Sequence, residues 1–465
     1  MGRIYSGHQI LDYLYNSCND RSSNSKIKIM PNKDNIFFKK KILIYGLGKS
    51  GLSSYRFLKK NNKIYLYDDN KIKNQNLDIQ KKLIHYKNIT HTKIDCIIIS
   101  PGIDIKKCKL KNFLKKNFSK IHTDLDVFYN YNKKNKNITI TGTNGKSTTV
   151  KIIHEVLKCQ KIDARLVGNI GNPILSEKKI TPKTVFIIEA SSYQLEYSKI
   201  FKSHIAAILN ISPDHLERHG SIKNYIKAKF KLVKNQTKKD ITFLNTNNLL
   251  IQRYLSSQKF LSKIIKINKK VRTKVLKKIH NTNFLSDGNK ENLSFVFEIA
   301  KKMKISKNNL FKALNEFNGL DFRQQVIFKS QRLTIINDSK ATSFSSTVSI
   351  LKSITNAYWI VGGQAKKGDK FLLNKNECKN IKAYIFGKNK NLFKSELKRK
   401  IDYQLFDNLK SSIKKVLIDI KKNDENLKKH IILFSPAAAS FDSFKNFEDR
   451  GNYFNHLIKG MVDAK

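Results

Sequence analysis

Cysteine is scarce in this chain of 465 residues, and its few cysteines form no recognised pattern. They are Cys18, Cys96, Cys108, Cys159 and Cys378, an odd count without a C-x-x-C pair or the spacing of a zinc site. The pattern excludes a zinc site built on paired cysteines. We therefore expect reduced thiols and a cytoplasmic protein.

Long hydrophobic runs are also missing. No uninterrupted apolar run approaches the roughly 18 residues that a membrane span requires, so we expect no stable membrane insertion. The N-terminal segment contains Gly, Ser, Asn and mixed charges but not the apolar core of a secretory signal. We interpret residues 1–38 as a disordered N-terminal extension.

Acidic residues are few. The chain has 36 Asp and Glu residues and 91 Lys and Arg residues, which gives a formal net charge of +55. Such a charge is typical of proteins that bind nucleic acid. Most of these cations are lysines spread along the whole chain, with no arginine-rich block and no aromatic-basic RNA-binding motif. We interpret the charge as compositional bias and predict no nucleic-acid partner. A basic nucleic-acid-binding protein stays open as an alternative, but it explains only the charge.

Length and hydrophobic pattern predict an α/β protein of three domains. A domain averages roughly 150 residues, and strand-like runs alternate with helical patterns along most of the chain. We place the domains at residues 39–125, 126–321 and 322–465. The first and third are expected to be Rossmann-like, and the central one to be a P-loop-type domain with a parallel sheet.

A glycine-rich turn follows the first predicted strand, Lys41 to Tyr45. The turn reads Gly46-Leu-Gly-Lys-Ser-Gly51, and Asp68 stands some 20 residues further on. By itself this pattern indicates a dinucleotide site. A nicotinamide-dependent dehydrogenase is therefore a second alternative, although it accounts only for residues 41–70.

The central domain opens with a stronger signal, a strand that runs into Thr141-Gly-Thr-Asn-Gly-Lys-Ser-Thr148 and then a helix. Backbone N–H groups of such a turn bind phosphate oxygens, and the helix dipole adds positive potential. Lys146 is predicted to contact the outer phosphates and the Ser147 hydroxyl to ligate Mg²⁺. The motif is a shortened P-loop, because Ile140 stands where the first glycine is usual.

Three motifs of the central domain together resemble those of the Mur ligases and folylpolyglutamate synthetases, which form amide bonds through an acyl phosphate. The second motif is Glu189-Ala-Ser-Ser-Tyr-Gln194, and the third is Leu209-Asn-Ile-Ser-Pro-Asp-His-Leu-Glu-Arg-His219. The resemblance implies ATP and two Mg²⁺ ions as cofactors. The nucleotide-binding residues that it implies are Gly142, Thr143, Asn144, Gly145, Lys146, Ser147, Thr148, Asn289, Asn292, Arg323, Asp338 and Lys340.

The same resemblance assigns metal and catalytic roles. Ser147, Glu189 and His215 match metal-site positions, and Lys229 matches a lysine that is carbamylated by CO₂ to become an oxygen ligand. Arg323 matches an arginine that reaches the γ-phosphate when the last domain closes. The catalytic residues implied are Lys146, His215, Lys229 and Arg323.

The C-terminal domain narrows the resemblance to the branch of the Mur ligases that adds D-glutamate. Its signatures are Ile336-Asn-Asp-Ser-Lys-Ala-Thr342 and the long match Ser435 to Gly451. The implied D-glutamate residues are Thr342, Lys366, Ser440, Phe441 and Phe447. The implied contacts to the UDP-linked substrate are Lys49, Ser50, Asp68, Ser100 and Asn169.

The activity implied is the ATP-dependent addition of D-glutamate to UDP-N-acetylmuramoyl-L-alanine, a cytoplasmic step of peptidoglycan biosynthesis, by an enzyme that we expect to be a monomer. Some positions depart from the family pattern. Gly288 replaces a usual histidine, Phe322 and Gln325 replace His and Glu beside Arg323, and Ser343 replaces Asn. A sister ligase of the same family, or a folylpolyglutamate synthetase, would share the phosphate loop but should lack the two C-terminal signatures together.

Overall fold

The computed structural model describes residues 35–70, 76–267, 273–284, 287–366, 368–378, 380–422 and 429–462. In these ranges the chain forms three sheets of four, six and six strands, each flanked by helices, which confirms the predicted α/β class. Most of the predicted extension, residues 1–34, lies outside the described part. Phe37, near its end, is fully buried in the first core, so the packed chain begins slightly before residue 39.

The first sheet has the order β2-β1-β3-β4, with every pair parallel. Its strands are β1 Lys41–Tyr45, β2 Lys63–Tyr67, β3 Cys96–Ile99 and β4 Ile121–His122. Its helices are Lys49–Leu58, Leu77–Gln80, Tyr86–Ile89 and Lys111–Lys116, with a 3₁₀ turn at Phe118–Lys120. Apart from the exposed Lys41, the residues of β1 and β3 are apolar and buried on both faces, as parallel strands covered by helices require.

The central sheet is also parallel throughout, in the order β10-β9-β8-β5-β7-β6. Its strands are β5 Asn137–Thr141, β6 Ala164–Gly168, β7 Val185–Glu189, β8 Ile205–Ile208, β9 Ile241–Asn245 and β10 Lys263–Ile267. The helices are Asp124–Tyr131, Lys146–Cys159, Ser192–Tyr197, Leu216–His219, Ile222–Lys234, Leu249–Ser256, Thr273–Leu276, Asp287–Lys302 and Lys307–Asn315, with 3₁₀ turns at Ile174–Ser176 and Thr282–Phe284. The Lys-rich stretch from residue 234 to residue 283 contains β9 and β10, the two strands at one edge of this sheet.

The third sheet has the order β11-β12-β16-β13-β14-β15, and only its edge strand β11 is antiparallel. Its strands are β11 Gln325–Lys329, β12 Leu333–Asn337, β13 Ala357–Gly362, β14 Ile381–Phe386, β15 Asp402–Phe406 and β16 His430–Phe434. Its helices are Phe344–Leu351, Lys390–Leu397, Leu409–Lys422 and Phe447–Val462, with a 3₁₀ turn at Asn376–Cys378. Within the described ranges, no helix is both long and apolar enough to cross a bilayer.

Two buried polar residues fix the first sheet against the central one. Asp126, on the helix that crosses the predicted boundary at residue 125, accepts backbone N–H groups from Ile200 and Phe201 at 2.9 Å each, and its Oδ2 lies 3.4 Å from Nδ1 of His122 on β4. Arg218 donates to the carbonyl oxygen of Ile103 at 2.5 Å and stacks over the ring of Tyr193. These contacts fix the position of the first sheet relative to the central sheet.

Candidate active site

The loop after β5 turns tightly into the helix Lys146–Cys159. Gly145, which precedes this helix, has a φ of +82°, and a Cβ on it would lie 2.2 Å from Oδ1 of Asn292. A side chain would therefore meet both a strained backbone and an occupied volume, so the position requires glycine. The result is a set of backbone N–H groups at a helix N-terminus, the arrangement that binds phosphate.

Two lysine side chains lie against this loop. Nζ of Lys146 donates to the carbonyl oxygens of Gly142 and Thr143 at 2.9 and 2.8 Å. Nζ of Lys229, a residue that is only 1% exposed, donates to the same Gly142 oxygen at 2.7 Å. Burial lowers the pKa of Lys146 and lowers the pKa of Lys229 well below its ordinary value, with the charge of Lys146 adding to the latter effect.

A chain of hydrogen bonds joins this loop to the end of β7, to the residue after β6 and to the connection that leads to the third sheet. The Ser147 hydroxyl donates to Oε2 of Glu189 at 2.6 Å, and Oε1 of the same carboxylate accepts from the Asn169 amide at 2.8 Å. Arg323, on the connection to the third sheet, donates to the Ser147 oxygen at 2.6 Å. Glu189 ends β7 and is 1% exposed. A hydroxyl and a carboxylate side by side are the hard oxygen ligands that Mg²⁺ prefers.

His215 stands on the loop that follows β8, in a left-handed conformation with a φ of +54°. Its Nδ1 shares a hydrogen bond with the Tyr193 hydroxyl at 2.9 Å, and its Nε2 lies 3.4 Å from Oδ2 of Asp214. Burial lowers the pKa of His215, although Asp214 opposes the shift. A neutral imidazole with one nitrogen held by a tyrosine has the form that binds a metal ion or a polar substrate group.

The third sheet contributes charged residues from the carboxyl end of β12. Asp338 accepts from the Ser435 hydroxyl at 2.7 Å and from the backbone N–H of Gln324 at 3.1 Å, and burial raises its pKa to about 7. Nζ of Lys340 lies 3.4 Å from the centroid of the Phe447 ring. Burial lowers the pKa of Lys340 to about 8. Desolvation thus shifts the pKa values of both side chains, as is common at functional sites.

The central and third sheets enclose one cavity of about 350 Å³ between their carboxyl edges. An ion pair closes one side of it, because Nζ of Lys366 lies 2.9 Å from Oδ1 of Asp214. Burial alone would raise the pKa of Asp214, but Lys366 and His215 outweigh burial and lower it. The predicted residues that line this cavity are Thr143, Asn144, Gly145, Lys146, Ser147, Thr148, Asn169, Glu189, His215, Asn289, Asn292, Arg323, Asp338, Lys340 and Thr342.

Other predicted residues lie outside the cavity lining. Gly142 and Lys229 lie beneath the loop, where the Gly142 carbonyl receives both lysines. Ser440 is 3% exposed, whereas Phe441 is 73% exposed. Phe447 lies outside the lining, and its ring contacts Nζ of Lys340.

The predicted residues of the first sheet form a separate group at the carboxyl ends of β1, β2 and β3. The carboxylate of Asp68 accepts the backbone N–H of Leu47 at 2.7 Å, so it stabilises the glycine-rich turn itself. The Ser100 hydroxyl donates to the Gly46 carbonyl at 2.6 Å. The remaining members, which begin the helix after the turn, are Lys49 and Ser50.

Comparison with known proteins finds family models and named relatives that match this sequence. Residues 40–121 match the family model described as the MurD-like N-terminal domain of Mur ligases, and residues 140–314 match the Mur ligase middle domain. A protein of Rickettsia bellii named "UDP-N-acetylmuramoylalanine--D-glutamate ligase" is 33% identical over 91% of this chain and 98% of its own length. A protein of the same name from Francisella tularensis subsp. novicida is 34% identical over 90% of this chain and 95% of its own. This chain belongs to the Mur ligase family.

Solved structures support the fold of this Mur ligase. The MurF ligase of Thermotoga maritima in complex with ADP superposes with a TM-score of 0.55 at 12% identity, covering 92% of this chain and all of that one. The UDP-N-acetylmuramate-alanine ligase MurC of the same organism gives a TM-score of 0.52 at 16% identity, covering 92% of this chain and 100% of that one. At these identities the likeness concerns the fold alone, and it confirms the three-domain α/β class.

Two of the departures from the Mur ligase motifs, at Gly288 and Gln325, have structural explanations. Gly288 donates its backbone N–H to the Ser349 hydroxyl at 2.9 Å, and a Cβ on Gly288 would lie 2.7 Å from that oxygen. The third domain's helix therefore occupies the space where a larger side chain would stand. Gln325 uses both ends of its amide, accepting from the N–H of Phe322 and donating to Asp321. A glutamate could not make the second of these bonds.

Several residues of the Mur ligase site were not assigned from the sequence. Asp214, Tyr193 and Asn210 all fall inside the recognised motifs, so the motifs themselves could have indicated them. Asn210 accepts the backbone N–H of Asn144 at 2.8 Å and so fixes the phosphate loop. Ser349 stands in an ordinary helix and carries no local signal, because its role depends on how two domains meet.

Cavity size does not identify the site. A larger cavity of about 910 Å³ opens at the amino ends of β13, β14 and β15, and it contains none of the predicted residues. Ligands of open α/β sheets bind at the carboxyl ends of the strands, where the smaller cavity lies. In the part of the chain that the structure describes, no three His, Cys, Asp or Glu side chains converge as a metal cluster.

Proposed function

We propose that this Mur ligase joins D-glutamate to UDP-N-acetylmuramoyl-L-alanine and splits ATP to do so. The observation that carries the proposal is the meeting of the phosphate loop with Asp338, Lys340 and Thr342 in one cavity. It is supported by relatives that bear the name of this ligase and align over almost their whole length. The two C-terminal signatures, Ile336 to Thr342 and Ser435 to Gly451, add the resemblance to the branch that uses D-glutamate.

The nucleotide is assigned to the cavity between the central and third sheets. Backbone N–H groups from Thr143 to Thr148 bind its phosphates, and Lys146 turns from the loop carbonyls to the outer phosphates. Asn289 and Asn292 lie beside Gly145, within reach of the phosphates and the adenine. Arg323, Asp338 and Lys340 approach from the third sheet. A planar guanidinium suits Arg323 to a γ-phosphate.

The residues present fit two Mg²⁺ ions with few protein ligands. Ser147 and Glu189 are adjacent oxygen donors, and they would hold the first ion. His215 and a carbamylated Lys229 would hold the second. The fit of Lys229 to carbamylation rests on its burial and its strongly lowered pKa, because a neutral amine is the form that adds CO₂. When bound, the ions supply charge that offsets the crowded phosphate oxygens.

The acceptor substrate is assigned to the first sheet. Lys49, Ser50 and Ser100 surround the glycine-rich turn and would face the UDP pyrophosphate, with Asp68 towards the uracil. Asn169, held by Glu189, would contact the sugar-peptide portion at the mouth of the cavity. D-glutamate is assigned to the third domain, through Thr342, Lys366, Ser440, Phe441 and Phe447.

The reaction follows from this placement. An oxygen of the L-alanyl carboxylate attacks the γ-phosphorus, the bond to the bridging oxygen breaks, and ADP leaves with an acyl phosphate formed. The amine of D-glutamate then attacks the acyl carbon. Loss of a proton from nitrogen and departure of inorganic phosphate leave the amide. Lys146 and Arg323 stabilise the charge that develops on the transferred phosphoryl oxygens.

Three domains imply a step of closure before amine and acyl phosphate can meet, since reacting atoms must be held in contact. We assign the domains to residues 39–125, 126–321 and 322–465, acting in a monomer. The cytoplasm is the compartment that suits its free cysteines, Cys96, Cys108, Cys159 and Cys378.

The test is a set of parallel reactions. Purified protein receives MgATP and UDP-N-acetylmuramoyl-L-alanine with D-glutamate, L-glutamate, L-alanine or a diamino acid, and phosphate release and product mass are measured. Product with D-glutamate alone supports the proposal. Product with another amino acid keeps the ligase chemistry but refutes the assignment of the third domain.

A further inference from the structure

Arg450 is a buried cation without an assigned role. It follows Phe447 by one helical turn and is 1% exposed. In the described part of the chain its hydrogen bonds go to carbonyl and hydroxyl oxygens instead of carboxylates. Burying a guanidinium without a direct ion pair is costly, so the bonds that it makes must be numerous and well placed.

Those bonds join two loops at the carboxyl edge of the third sheet. Nε of Arg450 donates to the Ser339 hydroxyl at 3.2 Å, and Nη2 donates to the Ser339 carbonyl at 2.7 Å. Nη2 and Nη1 also reach the carbonyl oxygens of Ala438 and Ala439, at 2.9 and 3.2 Å. A fixed fork of five N–H donors matches such a set of acceptors, and a lysine cannot reproduce it.

A third loop rests on the same arrangement. Gln364 and Ala439 exchange two backbone hydrogen bonds, at 3.1 and 3.0 Å. Gly363 packs so closely that a Cβ on it would lie 3.3 Å from Nη1 of Arg450. The loop that ends in Lys366 is therefore seated on the Ala438–Ser440 segment, which Arg450 holds.

The residue directly before the Ala438–Ser440 segment has a strained backbone. Ala437 has a φ of +53°, a conformation that a residue with a side chain adopts only when its surroundings impose it. The Ser339 hydroxyl, which accepts from Arg450, also donates to the Phe447 carbonyl at 2.9 Å. One guanidinium thus connects every segment on which the proposed D-glutamate residues stand.

We propose that Arg450 is a positioning residue for the amino-acid substrate, which holds the loops of Thr342, Lys366 and Ser440 in register without touching the substrate. The identity of that substrate as D-glutamate rests on the proposed function. The arrangement of the loops around Arg450 does not.

The first test compares Arg450→Lys with the wild type and with Arg332→Lys, an exposed arginine of the same domain. In Arg450→Lys the KM for D-glutamate is expected to rise about 10- to 100-fold, because a small misplacement of binding groups is enough for such a loss. The KM for the UDP substrate should stay within about twofold, and the KM for ATP should rise less than that for D-glutamate, because Ser339 stands between Asp338 and Lys340 of the proposed nucleotide site. An unchanged KM for D-glutamate, or an equal rise in all three, overturns the proposal.

A second measurement separates this inference from the proposed function. Hydrogen exchange of the amides at 338–342, 362–366 and 435–441 should become faster in Arg450→Lys, whereas exchange in the phosphate loop should not change. If the wild type makes no product with any amino acid, the proposed function fails, and this exchange experiment still decides whether Arg450 holds the loops. Unchanged exchange would refute that role.

A milder variant covers the case in which Arg450→Lys does not fold. Ser339→Ala removes one acceptor of Arg450 and leaves the guanidinium with its three carbonyl partners. The KM for D-glutamate should rise selectively, by less than in Arg450→Lys. A Ser339→Ala enzyme with wild-type KM for D-glutamate would then overturn the proposal.

Discussion

Nζ of Lys366 and Oδ1 of Asp214 lie 2.9 Å apart across the cleft between the central and third domains. The side chains are 28% and 16% exposed, so the pair is shielded from solvent more than a surface ion pair. A carboxylate of the protein thus lies beside the ammonium group that the proposal assigns to D-glutamate. The pairing places this cation beside Asp214, which lines the cavity next to His215.

Replacement of Lys366 by methionine is expected to weaken D-glutamate binding selectively. Loss of a charge-assisted hydrogen bond costs about 1.5 to 3 kcal/mol, which corresponds to a rise of about 10- to 100-fold in the KM for D-glutamate. Lys370→Met is the matched control, since Lys370 forms a largely exposed ion pair with Glu396 in the same domain. Steady-state kinetics with each substrate varied in turn measures both variants, and an unchanged D-glutamate KM in Lys366→Met would remove Lys366 from the site.

Replacement of Lys146 by glutamine should abolish most of the activity. The side chain stands at the phosphate loop, and loss of one preorganised charge at a developing anion lowers kcat by about 10²- to 10³-fold. Lys151→Gln, one turn further along the same helix, changes a residue paired with Glu155 at 2.6 Å and should keep near wild-type kcat. Phosphate release at saturating substrates distinguishes the two, after thermal melting has shown that both variants fold. Equal kcat values would contradict the assignment.

The local parts of this site could be predicted from the sequence, because each depends on neighbours along the chain. Gly145 directly precedes a helix, Lys146 is the first residue of that helix, and Glu189 is the last residue of a strand. The local backbone determines where each of them lies. The predicted bounds of the first strand, Lys41–Tyr45, are confirmed for the same reason. The pattern of buried apolar residues fixes them.

The parts that have a weak local signal or depend on contacts between domains could not be predicted. β10 reads Lys-Ile-Ile-Lys-Ile and is only partly buried at a sheet edge, so its apolar signal is weak. Gly288 differs from its family pattern because Ser349, 61 residues away, fills the space. Asp214 gains its partner only through the placement of Lys366. Tertiary packing determines these features, so the neighbouring residues in the sequence do not predict them.

Lys229 is expected to require CO₂. Burial holds the pKa of Lys229 well below its ordinary value, which favours the neutral amine that adds CO₂. Enzyme prepared without bicarbonate should have a lower kcat that bicarbonate restores, and intact mass under bicarbonate should show one added carboxylate. Lys229→Ala should be inactive and partly rescued by short carboxylic acids.

The control for this prediction is Lys227→Ala, an exposed residue on the same helix. It should keep its activity and its response to bicarbonate. A wild-type enzyme whose kcat ignores bicarbonate and whose mass never increases would contradict the carbamylation of Lys229.

Lys340 should make ATP use sensitive to alkaline pH. Burial lowers the pKa of Lys340 to about 8, with the charge of Arg323 adding to the effect. The free enzyme therefore loses this cation as the pH rises through about 8, and kcat/KM for ATP should fall by up to about tenfold per pH unit above that point. Below it the cation is present and this contribution is constant.

The variant that tests the assignment is Lys340→Arg, because a guanidinium stays charged across the whole range. Its kcat/KM for ATP should show no decline near pH 8, even if the value at neutral pH is reduced by the different shape of the side chain. Lys352→Arg, which alters a half-exposed lysine paired with Glu377, should keep the wild-type profile. A decline that persists unchanged in Lys340→Arg would assign the titration to another group, since the charge at this position could no longer vary with pH.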